Sequence, residues 1–151
     1  MKDKKPTGGC MCGAVRYELD GTATWNVYCH CRSCRRHTGA PVSVLVTCVP
    51  EQVRWTAGDR AFYESSPGRF RAFCRECGTS LTWEAEVKGN AWLGIHVSTL
   101  DHPEDFRPVE HVFHGHAIPW FDTNDDFPRH EATKFAEFGV REPGWRQATS
   151  V

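Results

Sequence analysis

The segment Cys29-His30-Cys31-Arg32-Ser33-Cys34 places three thiols within six residues. A second close pair, Cys10-Met11-Cys12, lies upstream, and a third, Cys74-Arg75-Glu76-Cys77, lies downstream. Thiolates at such spacings are ligands for Zn2+, which takes them at about 2.3 Å in a tetrahedron. A C-x-x-C turn lets both sulfurs reach one ion from a tight knuckle of backbone. Gly78, directly after Cys77, suits that knuckle because glycine enters positive φ without strain. Seven sulfurs then divide into a set of four and a set of three. Four thiolates saturate the ion, as in a structural site; three leave a position for water or substrate, as in a catalytic one.

Cys10 and Cys12 with Cys74 and Cys77 form the natural quartet. That pairing closes a loop of more than sixty residues, and metal binding across it would stabilise the fold directly. Cys29, Cys31 and Cys34 are left as the trio. Spacing alone does not fix the partition: Cys10 and Cys12 could join the trio instead, and His30 or His37 could close the second site as a fourth ligand. Cys48, at the end of an apolar run, reads as a small buried hydrophobe. His111, His114 and His116 read as surface or core histidines. Arg32, Arg35 and Arg36 form either a solvated face or a clamp for a substrate carboxylate.

The elements that must hold these groups are short. Val15, Tyr17 and Leu19 alternate with Arg16 and Glu18, which predicts a half-buried strand over 14–20. Residues 22–29 alternate again, and 42–48 is a β-branched run that Pro50 ends. Helix-compatible residues from Cys31 to His37 run into Gly39, which predicts one or two helical turns with a glycine cap. Ala57-Gly58-Asp59 and Lys88-Gly89-Asn90 are hairpin signals, and Pro67-Gly68 is a further turn. Gly8-Gly9 is expected to turn the chain into Cys10. Residues 98–106 suggest a turn or one short helix, 109–114 a last strand, and 132–138 a short amphipathic helix. Trp25, Trp55, Trp83 and Trp92 fall in strand patterns and read as core, whereas Trp120, beside Pro119, is the better pocket wall. The expectation is one mainly-β domain of sandwich or barrel type. Residues 1–8 form a flexible lead-in, 9–130 the zinc-binding domain and 131–151 a tail.

Composition narrows the function. A chain of 151 residues is the size of one domain. Its formal net charge of −1, from 18 basic and 19 acidic residues, gives no footprint for nucleic acid or an anionic membrane. The charged start, Met1 to Pro6, is not a signal peptide, and no apolar run is long enough to span a bilayer. A reducing cytoplasm is therefore expected. There, close cysteine spacings read as metal or catalysis rather than as a disulfide framework.

Gly9-Cys10-Met11-Cys12-Gly13, Cys29-His30-Cys31-Arg32-Ser33-Cys34 and Phe73-Cys74-Arg75-Glu76-Cys77-Gly78 resemble the glutathione-dependent formaldehyde-activating enzyme family. Ala117-Ile118-Pro119-Trp120 matches that family's late motif, and the resemblance runs over about residues 8–128. It implies an Mss4-like fold, a sandwich or tent of short antiparallel strands stapled by zinc. It implies a structural zinc on Cys10, Cys12, Cys74 and Cys77, and a catalytic zinc on Cys29, Cys31 and Cys34. The implied substrates are a small-molecule thiol, glutathione in the namesake reaction, and formaldehyde, joined as S-hydroxymethylglutathione by a carbon–sulfur lyase running in reverse. The same scaffold also serves non-enzymatic proteins, so a zinc-stabilised binding module is the alternative.

Overall fold

Alternating burial sets the first pairing. The computed structural model describes residues 5–20, 25–87 and 89–132. In β2 (Arg16–Leu19), Tyr17 and Leu19 are buried while Arg16 and Glu18 face outward. β1 (Thr7–Gly9) and β5 (Val53–Ala57) flank it on either side, antiparallel, making a three-stranded sheet.

Seven strands make the second sheet: β3 (Trp25–Cys29), β4 (Ser43–Cys48), β6 (Arg60–Ser66), β7 (Arg69–Cys74), β8 (Ser80–Val87), β9 (Asn90–His96) and β10 (Glu110–Val112). Their spatial order is β10-β3-β4-β9-β8-β7-β6. Neighbours run antiparallel except β10, which lies parallel to β3. β10 returns from β9 through 3-10 turns at Val97–Thr99 and Pro103–Asp105, a connection long enough for a parallel pairing.

β4 is the central wall. Successive side chains of a strand point to opposite faces, so Leu45 and Val46 enter different cores. Val46 and Cys48, with Leu93 and Ile95 of β9, meet Tyr17, Leu19 and Val53 of the small sheet. Each such large apolar side chain contributes about 1.5–3 kcal/mol on burial. On the other face Leu45 packs with Val27, Val112, Cys29, Cys31 and Cys34. The single α-helix among the described residues, α1 (Arg32–Thr38), lies against β4.

The mainly-β expectation holds, and so do the strand at 42–48, the hairpin across Gly89, and the glycine-capped helix, whose C-cap is Gly39 in the left-handed region. Several details differ. Thr7 and Gly8, expected in a flexible lead-in, belong to β1. Gly8 and Gly9 do not form a turn. They pass so close to β2 that a Cβ on Gly8 would collide with the Tyr17 ring, and one on Gly9 with the Val15 carbonyl. Gly58 does reverse the chain, but not as a hairpin: β5 pairs with β2 and β6 with β7, so the turn carries the chain from one sheet to the other. The span 98–106 holds 3-10 turns rather than one helix. Trp25, Trp55, Trp83 and Trp92 are half-buried, because their strand faces border the cores rather than fill them. Beyond Ala132, the helix expected over 132–138 lies outside the described residues.

Candidate metal centres

The outer thiols come from two knuckles on different sheets. Cys10 and Cys12 follow β1; Cys74 ends β7 and Cys77 stands in the turn to β8. The knuckles are closed by their own backbones: Gly13 N–H donates to the Cys10 carbonyl at 3.1 Å, and Gly78 N–H to the Cys74 carbonyl at 2.9 Å. Gly13 and Gly78 both have positive φ, 80° and 74°, which lets each chain turn back under its sulfurs. Thr79 Oγ1 joins the two, accepting from the Met11 N–H at 3.0 Å and lying 3.1 Å from Cys77 Sγ.

The four sulfurs lie within 4.8 Å of one another. Cys10 and Cys12 are 3.5 Å apart, and Cys12 and Cys74 are 3.8 Å apart. Sulfurs bound to one tetrahedral zinc lie about 3.8 Å from each other. The donor set and its spacing therefore fit zinc. Crowded thiols also split in acidity: Cys10 is lowered by backbone and thiol hydrogen bonds against the opposing effect of burial, and Cys77 falls to about 5 through Thr79. Cys12, despite a favourable backbone bond from Ala14, is pushed up to about 12 by its thiol neighbours.

The central thiols sit at the strand-to-helix junction. Cys29 ends β3, Cys31 is the N-cap of α1, and Cys34 lies in its first turn. Cys31 Sγ accepts the Cys34 N–H at 3.3 Å, so the sulfur replaces the usual Ser or Asp cap and is aimed by the helix it starts. All three are at least nine-tenths buried, and their sulfurs lie within 4.8 Å of one another. Among the described residues no further His, Cys, Asp or Glu atom joins either group, so the inner one stays at three. The alternatives that put Cys10 and Cys12, or a histidine, with the trio are not what the fold assembles.

No pattern in the sequence pointed to Arg71. It sits in the middle of β7, 6% exposed, and its Nη1 donates to Cys34 Sγ at 3.1 Å. Its Nε donates to Ser65 Oγ at 3.1 Å. Hydrogen bonds from the Cys29 and Cys31 thiols, reinforced by the Arg71 charge, hold the Cys34 thiol well below its ordinary value despite burial. Cys29 is driven well above its ordinary value by hydrogen bonding to Cys31 and Cys34 and by burial. Cys29 lowers Cys31, but Cys34 and burial together carry Cys31 up to about 12. Cys34 is thus the most acidic of the three thiols, and it faces a guanidinium.

Two histidine chains border the trio. Ser43 Oγ lies 3.0 Å from His96 Nδ1, and His96 Nε2 lies 3.2 Å from His37 Nδ1. His37 Nε2 is buried without a partner. Burial lowers His96 to about 3 and His37 to about 4. In the second chain His30 Nε2 lies 2.8 Å from His111 Nδ1, and His111 Nε2 lies 3.1 Å from Asp125 Oδ1. A carboxylate only accepts, so His111 donates to Asp125 and receives from His30. That leaves a lone pair on His30 Nδ1, buried and unpartnered.

The arginines beside the trio divide. Arg35 is committed to backbone, donating to the carbonyls of His30 at 3.0 Å and His116 at 3.1 Å. Arg32 and Arg36 are exposed. Cys48 is buried, as expected. His111 is a core histidine, whereas His114 and His116 lie in a 3-10 turn. Trp120 is 76% exposed and packs its edge on Phe121, so it lines no wall among the described residues.

A family model described as glutathione-dependent formaldehyde-activating enzyme matches residues 5–116. No curated protein matches the chain. Among solved structures, a crystal structure of a Rhodobacter sphaeroides protein, a structural-genomics target, is similar to it. The two share 26% identity with a TM-score of 0.56, over 70% of this chain and 99% of that one.

Proposed function

We propose the following chemistry for this chain, which belongs to the glutathione-dependent formaldehyde-activating enzyme family: at Cys29, Cys31 and Cys34 it adds a thiol to a small aldehyde. The thiol is glutathione or a similar one, and the aldehyde is formaldehyde or a close relative. The new bond is carbon–sulfur. The thiol proton passes to the carbonyl oxygen, so the product is a hemithioacetal and the reaction is that of a carbon–sulfur lyase in reverse. The observation that carries this reading is the three-sulfur group itself, buried and complete without a fourth ligand atom among the described residues.

Cys10, Cys12, Cys74 and Cys77 would hold a structural zinc, and Cys29, Cys31 and Cys34 a catalytic one. When bound at the trio, zinc supplies a Lewis acid that lowers a thiol's pKa or polarises a carbonyl oxygen. The chain's own residues do the rest. The trio fixes where the thiol enters. The buried surroundings of Leu45, Val27 and Val112 exclude water, which strengthens each charge interaction in the site. His37 Nε2, held by the His96–Ser43 chain, is a preset hydrogen-bonding group beside the trio. Arg32 and Arg36 offer exposed cations to a substrate carboxylate. Bringing thiol and aldehyde together then supplies much of the rate.

The test is adduct formation from formaldehyde and glutathione, measured above the uncatalysed rate. Wild type is expected to exceed it, and Cys31→Ser to fall to it. Equal rates for both proteins would remove this reading.

A further inference from the structure

We propose that Arg71 is the counter-charge of the central thiol site and makes that site select an anionic fourth ligand, a thiolate, over a neutral one. The inference rests on the function proposed above and names what chooses its ligand.

Arg71 is a buried cation whose nearest partner is sulfur, not carboxylate. Among the described residues no Asp or Glu lies within ion-pair distance of it. Its Nη1 points at Cys34 Sγ at 3.1 Å, and Ser65 anchors its Nε. A buried arginine without a counter-charge would be strongly destabilising, so its placement is meaningful only with thiolate opposite.

The charge count follows from the donor set. Three thiolates and one divalent cation carry a single net negative charge. A fourth thiolate would double it, in a place where Leu45, Val27 and Val112 keep water away. Burying that charge alone is costly. With Arg71 counted, the three-thiolate site is neutral and the four-thiolate site carries one negative charge instead of two. A neutral fourth ligand adds no charge and gains little from the guanidinium. The N–H···S bond also draws electron density from Cys34, leaving the metal a better acceptor for another sulfur.

The fold keeps this guanidinium in register. β7 carries Arg71 in its interior and ends in Cys74, a member of the outer quartet. β6 and β8 pair with Arg71 on either side, through Tyr63 and Trp83. A metal at the outer site therefore fixes the strand that charges the inner one.

The test uses the full chain loaded with Co2+ at both sites, read by its sulfur-to-cobalt absorption, and titrated with 2-mercaptoethanol or imidazole at one pH. Arg71→Gln is expected to weaken the thiol by about tenfold or more, the scale of one nearby charge. Imidazole should change by less than about threefold. Arg71→Lys, which keeps the charge, should restore most of the thiol affinity. The readout is the ratio of the two affinities, so a general loss of folding or loading, which moves both together, counts against the proposal. A Gln variant with the wild-type ratio overturns the role of Arg71 alone. A wild type that takes up no thiol overturns the function proposed above as well.

Discussion

Cys12 Sγ and Cys74 Sγ lie 3.8 Å apart although 62 residues separate them in the chain. One belongs to the small sheet's first turn and the other to the end of β7, so their contact also ties the two sheets together at one end. Cys10, Val15, Cys74 and Leu81 form a small buried cluster around it.

Removing one of these sulfurs should therefore cost the fold more than removing one from the trio. Structural zinc contributes roughly 10–16 kcal/mol of binding free energy in zinc-finger peptides, and that energy is folding energy. Cys74→Ser is expected to lose several kcal/mol in urea unfolding of the zinc-loaded protein. Cys31→Ser, which leaves Cys34 opposite Arg71 and a hydroxyl that can still cap α1, should lose about 1–2 kcal/mol. Equal losses would contradict the division of labour between the two sites.

The two groups should also differ in how they release metal. Zinc analysis of the purified chain is expected to give two equivalents, one of them lost first to a mild chelator and displaced or held by added glutathione. The retained equivalent should leave only as the fold melts, followed by circular dichroism. A single tightly held zinc that ignores thiols would favour a zinc-stabilised binding module.

Acid should destabilise the protein before its carboxylates titrate. His96 and His37 have folded-state pKa values of about 3 and about 4, below the ordinary 6.5, because burial disfavours the imidazolium. The unfolded chain therefore binds protons between about pH 6.5 and 4 that the folded chain refuses. The stability their neutral forms allow is complete above pH 6.5 and falls as the pH drops through that window. Between pH 7 and 5 the loss should be about 1–2 kcal/mol for each. His96→Gln, measured in urea at both pH values, should show a flatter dependence than wild type; an unchanged slope would refute the assignment.

The core between the sheets sets a scale for these effects. Ile95, on β9 beside β4, is fully buried against the small sheet. Ile95→Ala should cost about 2–5 kcal/mol through the cavity it leaves. Trp120→Ala, at an exposed ring, should stay within about 0.5 kcal/mol. A larger effect at Trp120 would mean that the ring is covered in solution.

The sequence by itself determined the candidate metal ligands and the local elements. Cysteine spacing, the alternation of Val15, Tyr17 and Leu19, the β-branched run into Cys48 and the glycine after α1 are local patterns, and each is carried by neighbours within a few residues. The tertiary structure alone decided which elements meet. Gly58 marks a reversal whether β5 pairs with β6 or with β2, because the turn does not encode its partner. Arg71 looks like any strand arginine until β7 lies against α1 and brings its guanidinium to Cys34. Likewise Ser43, His96 and His37 become one chain only after β4, β9 and α1 pack together. Contacts between distant residues are settled by the burial of whole faces, and no window of sequence contains a whole face.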